Sequence, residues 1–84
     1  MSAIWKERAM RHMDAVMEAV SDGTWHTDDE IREAVLGCDY SRNSSLEVSL
    51  CLDILRVRGR LLCESIEADG LLKGFRFRIP EATA

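Results

Sequence analysis

Long apolar runs are missing from this chain. The longest, such as Leu61-Leu62-Cys63, span three residues, which excludes a membrane-spanning helix and the apolar core of a secretory leader. The protein is therefore expected to stay in the cytoplasm, with no membrane partner. Proline is nearly absent, with Pro80 alone in 84 residues, and glycine occurs five times. That composition excludes collagen-like and Pro/Gly-rich disordered chains. Cysteine is too sparse for a disulfide framework: Cys38, Cys51 and Cys63 lie 13 and 12 residues apart and are expected to be reduced thiols. No close ligand pair accompanies them, and His12 and His26 are distant in sequence, so no metal and no cofactor is expected. Also lacking are a Gly-x-Ser-x-Gly elbow, a phosphate-cradling glycine loop and a cysteine beside a local base. No catalytic residue or small-molecule ligand can be named, and the chain reads as a binding module, not an enzyme.

What is present suits one small domain over residues 1–84, with a core from about 3 to 80 and a tail over 81–84. The length is too short for two cores, and the apolar fraction of 46% is that of an ordinary globular protein. The net charge of −4 is unevenly divided. Residues 1–41 carry four basic and nine acidic side chains, whereas residues 42–80 carry seven basic and five acidic. A polyanion would therefore meet the second half, and an acidic chain should bind nucleic acid weakly outside a preferred site.

Apolar residues Trp5, Ala9, Met13, Val16 and Val20 recur at spacings of four and three, which predicts one amphipathic helix from Ser2 to Val20, stopped by Ser21-Asp22-Gly23. Trp25-His26 has strand character. Thr27-Asp28-Asp29-Glu30 is a capping box opening a short helix to about Leu36 that should bury Ile31, Ala34 and Val35, with Gly37 ending it. Cys38 to Asn43 reads as a polar turn. Ser44-Ser45-Leu46-Glu47 repeats the box and opens a third helix to Arg58, ended by Gly59. The period then becomes strand-like: Leu61 to Ile66 is one strand, Glu67 to Gly74 a loop containing Asp69-Gly70, and Phe75-Arg76-Phe77-Arg78-Ile79 a second strand of alternating apolar and basic residues.

Two capped helices joined by a short turn form a helix-turn-helix. The order helix, strand, helix, turn, helix, hairpin resembles the winged helix-turn-helix superfamily. Three local patterns carry the likeness: Gly23 to Ile31 as strand and cap, Leu52-Asp53-Ile54-Leu55-Arg56-Val57-Arg58-Gly59-Arg60-Leu61 as recognition-helix ending, and Phe75 to Ile79 as the returning wing strand. The resemblance covers Ile4 to Ile79. It implies an α+β fold of three helices, a short strand and a C-terminal β-hairpin wing, and a DNA-binding regulator that places helix 44–58 and wing 61–79 on duplex DNA. It further implies that Ser44, Ser45 and Ser49 face base edges or phosphates, that Arg42 and Asn43 approach the backbone, and that Lys73, Arg76 and Arg78 are wing contacts.

Several of these residues also have simpler readings. Ser44 reads as a cap. Arg76 and Arg78 read as an outward strand face, with Glu64 across the hairpin. Trp5 and Trp25 read as core or rim aromatics, His26 as a strand-surface side chain and His12 as solvated. The third helix is the sharpest departure from a DNA reader, being apolar nearly all round. The family pattern buries Val48, Cys51, Leu52 and Leu55, which leaves Leu46, Leu50, Ile54 and Val57 on the opposite side, where base edges would call for polar residues. Either the wing folds over this stripe, with Leu50 or Ile54 beneath Phe75 and Phe77, or the stripe is a protein interface. The alternative to double-stranded DNA is therefore a homodimer or another protein partner, for an assembly subunit or an inhibitor.

Overall fold

A computed structural model of the chain describes residues 3–37 and 41–81. Ser2, Cys38, Asp39, Tyr40 and residues 82–84, which the sequence assigns to the first helix, the turn and the tail, lie outside the described residues. The architecture is α+β: helices α1 (Ala3–Met10), α2 (Met13–Ala19), α3 (Asp28–Leu36) and α4 (Arg42–Val57), and strands β1 (His26–Thr27), β2 (Leu62–Ala68) and β3 (Leu71–Arg78). The strands form one antiparallel sheet in the order β1-β3-β2. This layout is compatible with a winged-helix-like arrangement, although the described residues form four helices where three are expected.

The extra helix arises because the expected helix over Ser2–Val20 breaks at Arg11-His12. There the His12 N–H donates to the Ala9 carbonyl at 3.1 Å, three residues back instead of four, so the turn tightens to a 3₁₀ step. The break lets α1 lie along α4 while α2 packs on both α3 and α4. His12, expected to be solvated, is half-buried and bonds Glu47 Oε1 on α4 at 3.0 Å. Apolar spacing cannot reveal such a break, since residues on both sides keep the same period.

Thr27 caps α3 as expected. The Glu30 N–H donates to Thr27 Oγ1 at 3.1 Å, and the Thr27 N–H donates to Glu30 Oε1 at 3.3 Å. The strand beside it is His26–Thr27, so Trp25 precedes it. Only Ile31 of α3 is fully buried; Val35 is half-buried and Ala34 faces solvent. The start of α4 also differs from expectation. Ser41 is its cap, with the Ser44 N–H donating to Ser41 Oγ at 3.1 Å. Ser44 stands inside the first turn, and Glu47 is engaged by His12 rather than closing a second box. At the other end, the Arg60 N–H reaches the Leu55 carbonyl at 2.8 Å and the Gly59 N–H the Arg56 carbonyl at 3.0 Å. This Schellman closure needs the left-handed φ of +74° at Gly59, and it aims the chain into Leu61, which is buried.

The hairpin is tighter and longer than the sequence suggests. The polar segment 67–74 reads as a loop, yet Asp69-Gly70 alone makes the turn, with φ of +55° and +75°. Two consecutive positive φ values are what a two-residue type I′ connection requires to match strand twist. The remaining excess is absorbed by a bulge at Lys73: Ile66 stands opposite Gly74 while Glu67 stands opposite Leu72.

The core comprises Ala9, Val16, Val20, Ile31, Val48, Cys51, Leu52, Leu55, Leu61 and Phe77. Because Ser41 and not Ser44 caps α4, Ser41→Ala should lower unfolding stability by about 1 kcal/mol, whereas Ser44→Ala should change it by less than about 0.5 kcal/mol. Urea denaturation of both variants checks the helix start, and equal losses would contradict it.

Candidate functional site

The sides of α4 have different surroundings. Val48, Cys51, Leu52 and Leu55 are all buried, as an inward face with spacings of three and four demands. The flank beside the hairpin is lined by Ser49, Leu52, Asp53 and Arg56. Across from it stand Asp28 and Arg32 of α3 and Cys63, Ser65, Phe75 and Phe77 of the hairpin, around a groove of about 410 Å³. Its charged groups are paired within the molecule. Arg32 Nη2 donates to Ser49 Oγ at 2.8 Å, and Nη1 donates to Asp28 and Asp29, each at 3.0 Å. Arg56 donates to Asp53 at 2.6 Å.

The remaining side carries Leu46, Leu50, Ile54 and Val57. Leu46 is 52% exposed and Val57 71% exposed, whereas Leu50 and Ile54 are half-buried against the edge of the core. The hairpin does not cover this stripe. Neither Leu50 nor Ile54 lines the groove that holds Phe75 and Phe77, which weighs against the first of the two alternatives, in which one of them packs beneath those rings. The reason is rotational: Ser49, Asp53 and Arg56 occupy the helix face turned toward the hairpin, and the stripe lies on the other flank, beside α1. There Lys6, Asp53, Ile54, Val57 and Arg58 surround a hollow of about 430 Å³. Among the described residues, Lys6, Arg42 and Arg58 form no ion pair.

The residues assigned to DNA by resemblance are dispersed. Arg42 and Asn43 are exposed in the first turn of α4 instead of in a preceding loop, and Ser44 and Ser45 are half-buried beside them. The Ser49 hydroxyl accepts from Arg32 and donates to the Ser45 carbonyl at 3.1 Å. Lys73 is exposed at the bulge. Arg76 stands directly opposite Glu64, hydrogen-bonds its carboxylate, and sets its guanidinium 4.8 Å from the centre of the Trp25 ring. The Arg78 guanidinium lies 5.5 Å from the same ring and donates to Glu81 at 2.9 Å. Trp25 is thus half-buried beneath two cations, a contact that favours the indole face, and of the core and rim positions open to it in the sequence it takes the rim. The Arg76–Glu64 pairing was legible from alternation. The Arg–Trp stack and the His12–Glu47 bond, 35 residues apart in sequence, were not.

This chain matches no known protein family, no curated protein and no solved structure. Among the described residues, no group of three or more His, Cys, Asp or Glu side chains is placed to hold a metal ion. No helix among them is long and apolar enough to cross a membrane. Burial pushes the Cys51 thiol up to about 11 and raises that of Cys63, which keeps both protonated and weakly nucleophilic at neutral pH.

One polar cluster has a measurable consequence. His26 Nε2 lies 2.8 Å from Asp22 Oδ1 and 3.2 Å from Thr24 Oγ1. The hydrogen bond from His26, then that from the Thr24 N–H, lowers the Asp22 carboxyl to about 2. A depressed carboxylate stabilises the fold above its unfolded value and loses that contribution as pH falls through the folded one. Wild-type stability should therefore decline between about pH 4 and pH 2 more steeply than that of Asp22→Asn. Urea midpoints across that range check this, and parallel profiles would refute it.

Proposed function

We propose that this chain is a winged-helix domain that works as a protein-docking module through the outward stripe of α4. The observation that carries this reading is the exposure of Leu46 and Val57 in one line with Leu50 and Ile54, on the helix that DNA-reading winged-helix domains place in the major groove. Base edges offer donors, acceptors and only the thymine methyl as apolar complement, so a groove-bound α4 would leave this stripe poorly matched. A contiguous exposed apolar patch on a small domain is more often a protein interface. The hairpin argues the same way. Its arginines are engaged by Glu64, Glu81 and Trp25, and its tip carries Glu67, Asp69, Leu71 and Leu72, with Lys73 as the one cation.

The first turn of α4 supports a second reading, in which duplex DNA is bound. Arg42 and Asn43 are exposed there, and Ser44 and Ser45 follow on the same turn, a set suited to phosphate contacts. On that reading, Arg42→Ala should lower the salt slope of DNA binding by roughly one unit, as should Lys73→Ala. Arg76→Ala should change it less, because its guanidinium is already paired. Gel-shift titrations at two salt concentrations check these slopes, and absence of any shift would remove the DNA reading.

Docking is tested with a photo-crosslinking residue at position 46 or 57 of the full chain in its native cells, and at position 69 as control. Protein adducts should form from 46 and 57 and not from 69; adducts to nucleic acid alone would overturn the reading. The stripe also makes a stability prediction. Leu46→Glu with Val57→Glu should shift unfolding by less than about 1 kcal/mol, because both positions face solvent. Leu50→Glu with Ile54→Glu should cost more than about 3 kcal/mol, because both are packed on the core. Thermal melts followed by circular dichroism separate the two pairs.

A further inference from the structure

The ends of the stripe say what kind of surface it fits, provided that the docking reading holds. From Leu46 to Val57 the stripe runs for three turns, roughly 16 Å along the axis, with apolar side chains at spacings of four, four and three. Cations stand at both ends. Arg42 is exposed at the N-terminal end, and Lys6 and Arg58 rim the hollow around Ile54 and Val57. The acid sharing that hollow, Asp53, is neutralised by Arg56 at 2.6 Å. Glu47, one residue from Leu46, is held by His12 at 3.0 Å. Among the described residues, the result is an apolar row flanked by three cations that form no ion pair, on a chain whose net charge is −4.

This charge pattern discriminates among occupants. A second copy docking stripe to stripe about a two-fold axis would bring like charges together in either direction. Antiparallel helices set Arg42 against the other copy's Lys6 and Arg58, and parallel helices set each cation against itself. Like charges in register oppose association. Duplex DNA would satisfy the cations and leave the four apolar side chains without a match. An amphipathic helix with carboxylates beside its apolar face satisfies both, burying the row by helix-in-groove packing and pairing acids with the terminal cations. We infer that the α4 stripe, with Lys6, Arg42 and Arg58, is the docking surface for an acidic amphipathic helix of a different protein.

The test uses the full chain and fluorescein-labelled peptides of about eighteen residues, roughly five helical turns. The probe peptide carries leucine at i, i+4, i+7 and i+11, glutamate flanking that face, and alanine elsewhere. One control replaces every glutamate with lysine, and another permutes the order so that no apolar face forms. Fluorescence anisotropy should show saturable binding of the glutamate peptide and none of either control. Lys6→Glu with Arg58→Glu should weaken binding by about tenfold, as expected for two exposed ion pairs. Leu46→Ser with Val57→Ser should weaken it at least as much. Circular dichroism confirms that these surface variants remain folded.

Equal binding of the lysine peptide, no binding of the glutamate peptide up to about 1 mM, or indifference to charge reversal would each overturn the inference. So would displacement of the glutamate peptide by duplex DNA at equal concentration, which would assign the cations to nucleic acid. Concentration-dependent dimerisation abolished by Leu46→Ser with Val57→Ser would assign the stripe to a second copy. If crosslinks from 46 and 57 reach a protein while the glutamate peptide fails to bind, the docking reading stands and the acidic helix falls; if both fail, both fall.

Discussion

Val48, Cys51, Leu52 and Leu55 form the face of α4 against which the other three helices close, and the rest of the molecule is arranged around that face. The ten buried residues among those described make a small core, and truncating one of its larger aliphatic side chains removes both transfer energy and packing, a loss of roughly 2–5 kcal/mol. So much depends on one helix because the sheet contributes little. Of its strands, β1 has two residues, and the hairpin sends only Phe77 fully into the core.

That dependence sets the conditions for function. A helix that must bury one face and still be apolar on the opposite side cannot hide both within a domain of this size, because only about two-thirds of the unfolded surface is removed on folding. The hairpin lies on the wrong flank to shield the stripe, being turned toward Ser49, Asp53 and Arg56. Exposure of Leu46 and Val57 follows from where the other elements pack.

Electrostatics divide the cations into two groups. Arg32, Arg56, Arg76 and Arg78 are held by carboxylates near in sequence or across the hairpin, and exposed pairs of this kind contribute little stability individually. Their effect is to withdraw positive charge from the groove and from the outer face of the sheet. The cations that bear on α4 without a carboxylate partner among the described residues, Lys6, Arg42 and Arg58, gather at the ends of the stripe. The sequence locates an excess of basic residues in the second half of the chain but does not distinguish the engaged arginines from the others.

Local chemistry was legible in the sequence because it acts over three or four residues: the Thr27–Glu30 box, Gly37 and Gly59 as helix ends, the inward set of α4, and Asp69-Gly70 as a turn. Leu46, Leu50, Ile54 and Val57 could be placed on one side of the helix from period alone. Tertiary structure decided what period cannot encode. It broke the first helix at His12, because α1 and α2 pack on different neighbours. It tied Glu47 to a histidine 35 residues away, and it laid Arg76 and Arg78 over Trp25. It also determined that the hairpin turns toward Ser49 and leaves Val57 open. Each of these outcomes depends on contacts between residues far apart in the chain, whose geometry is fixed only when the helices close on α4.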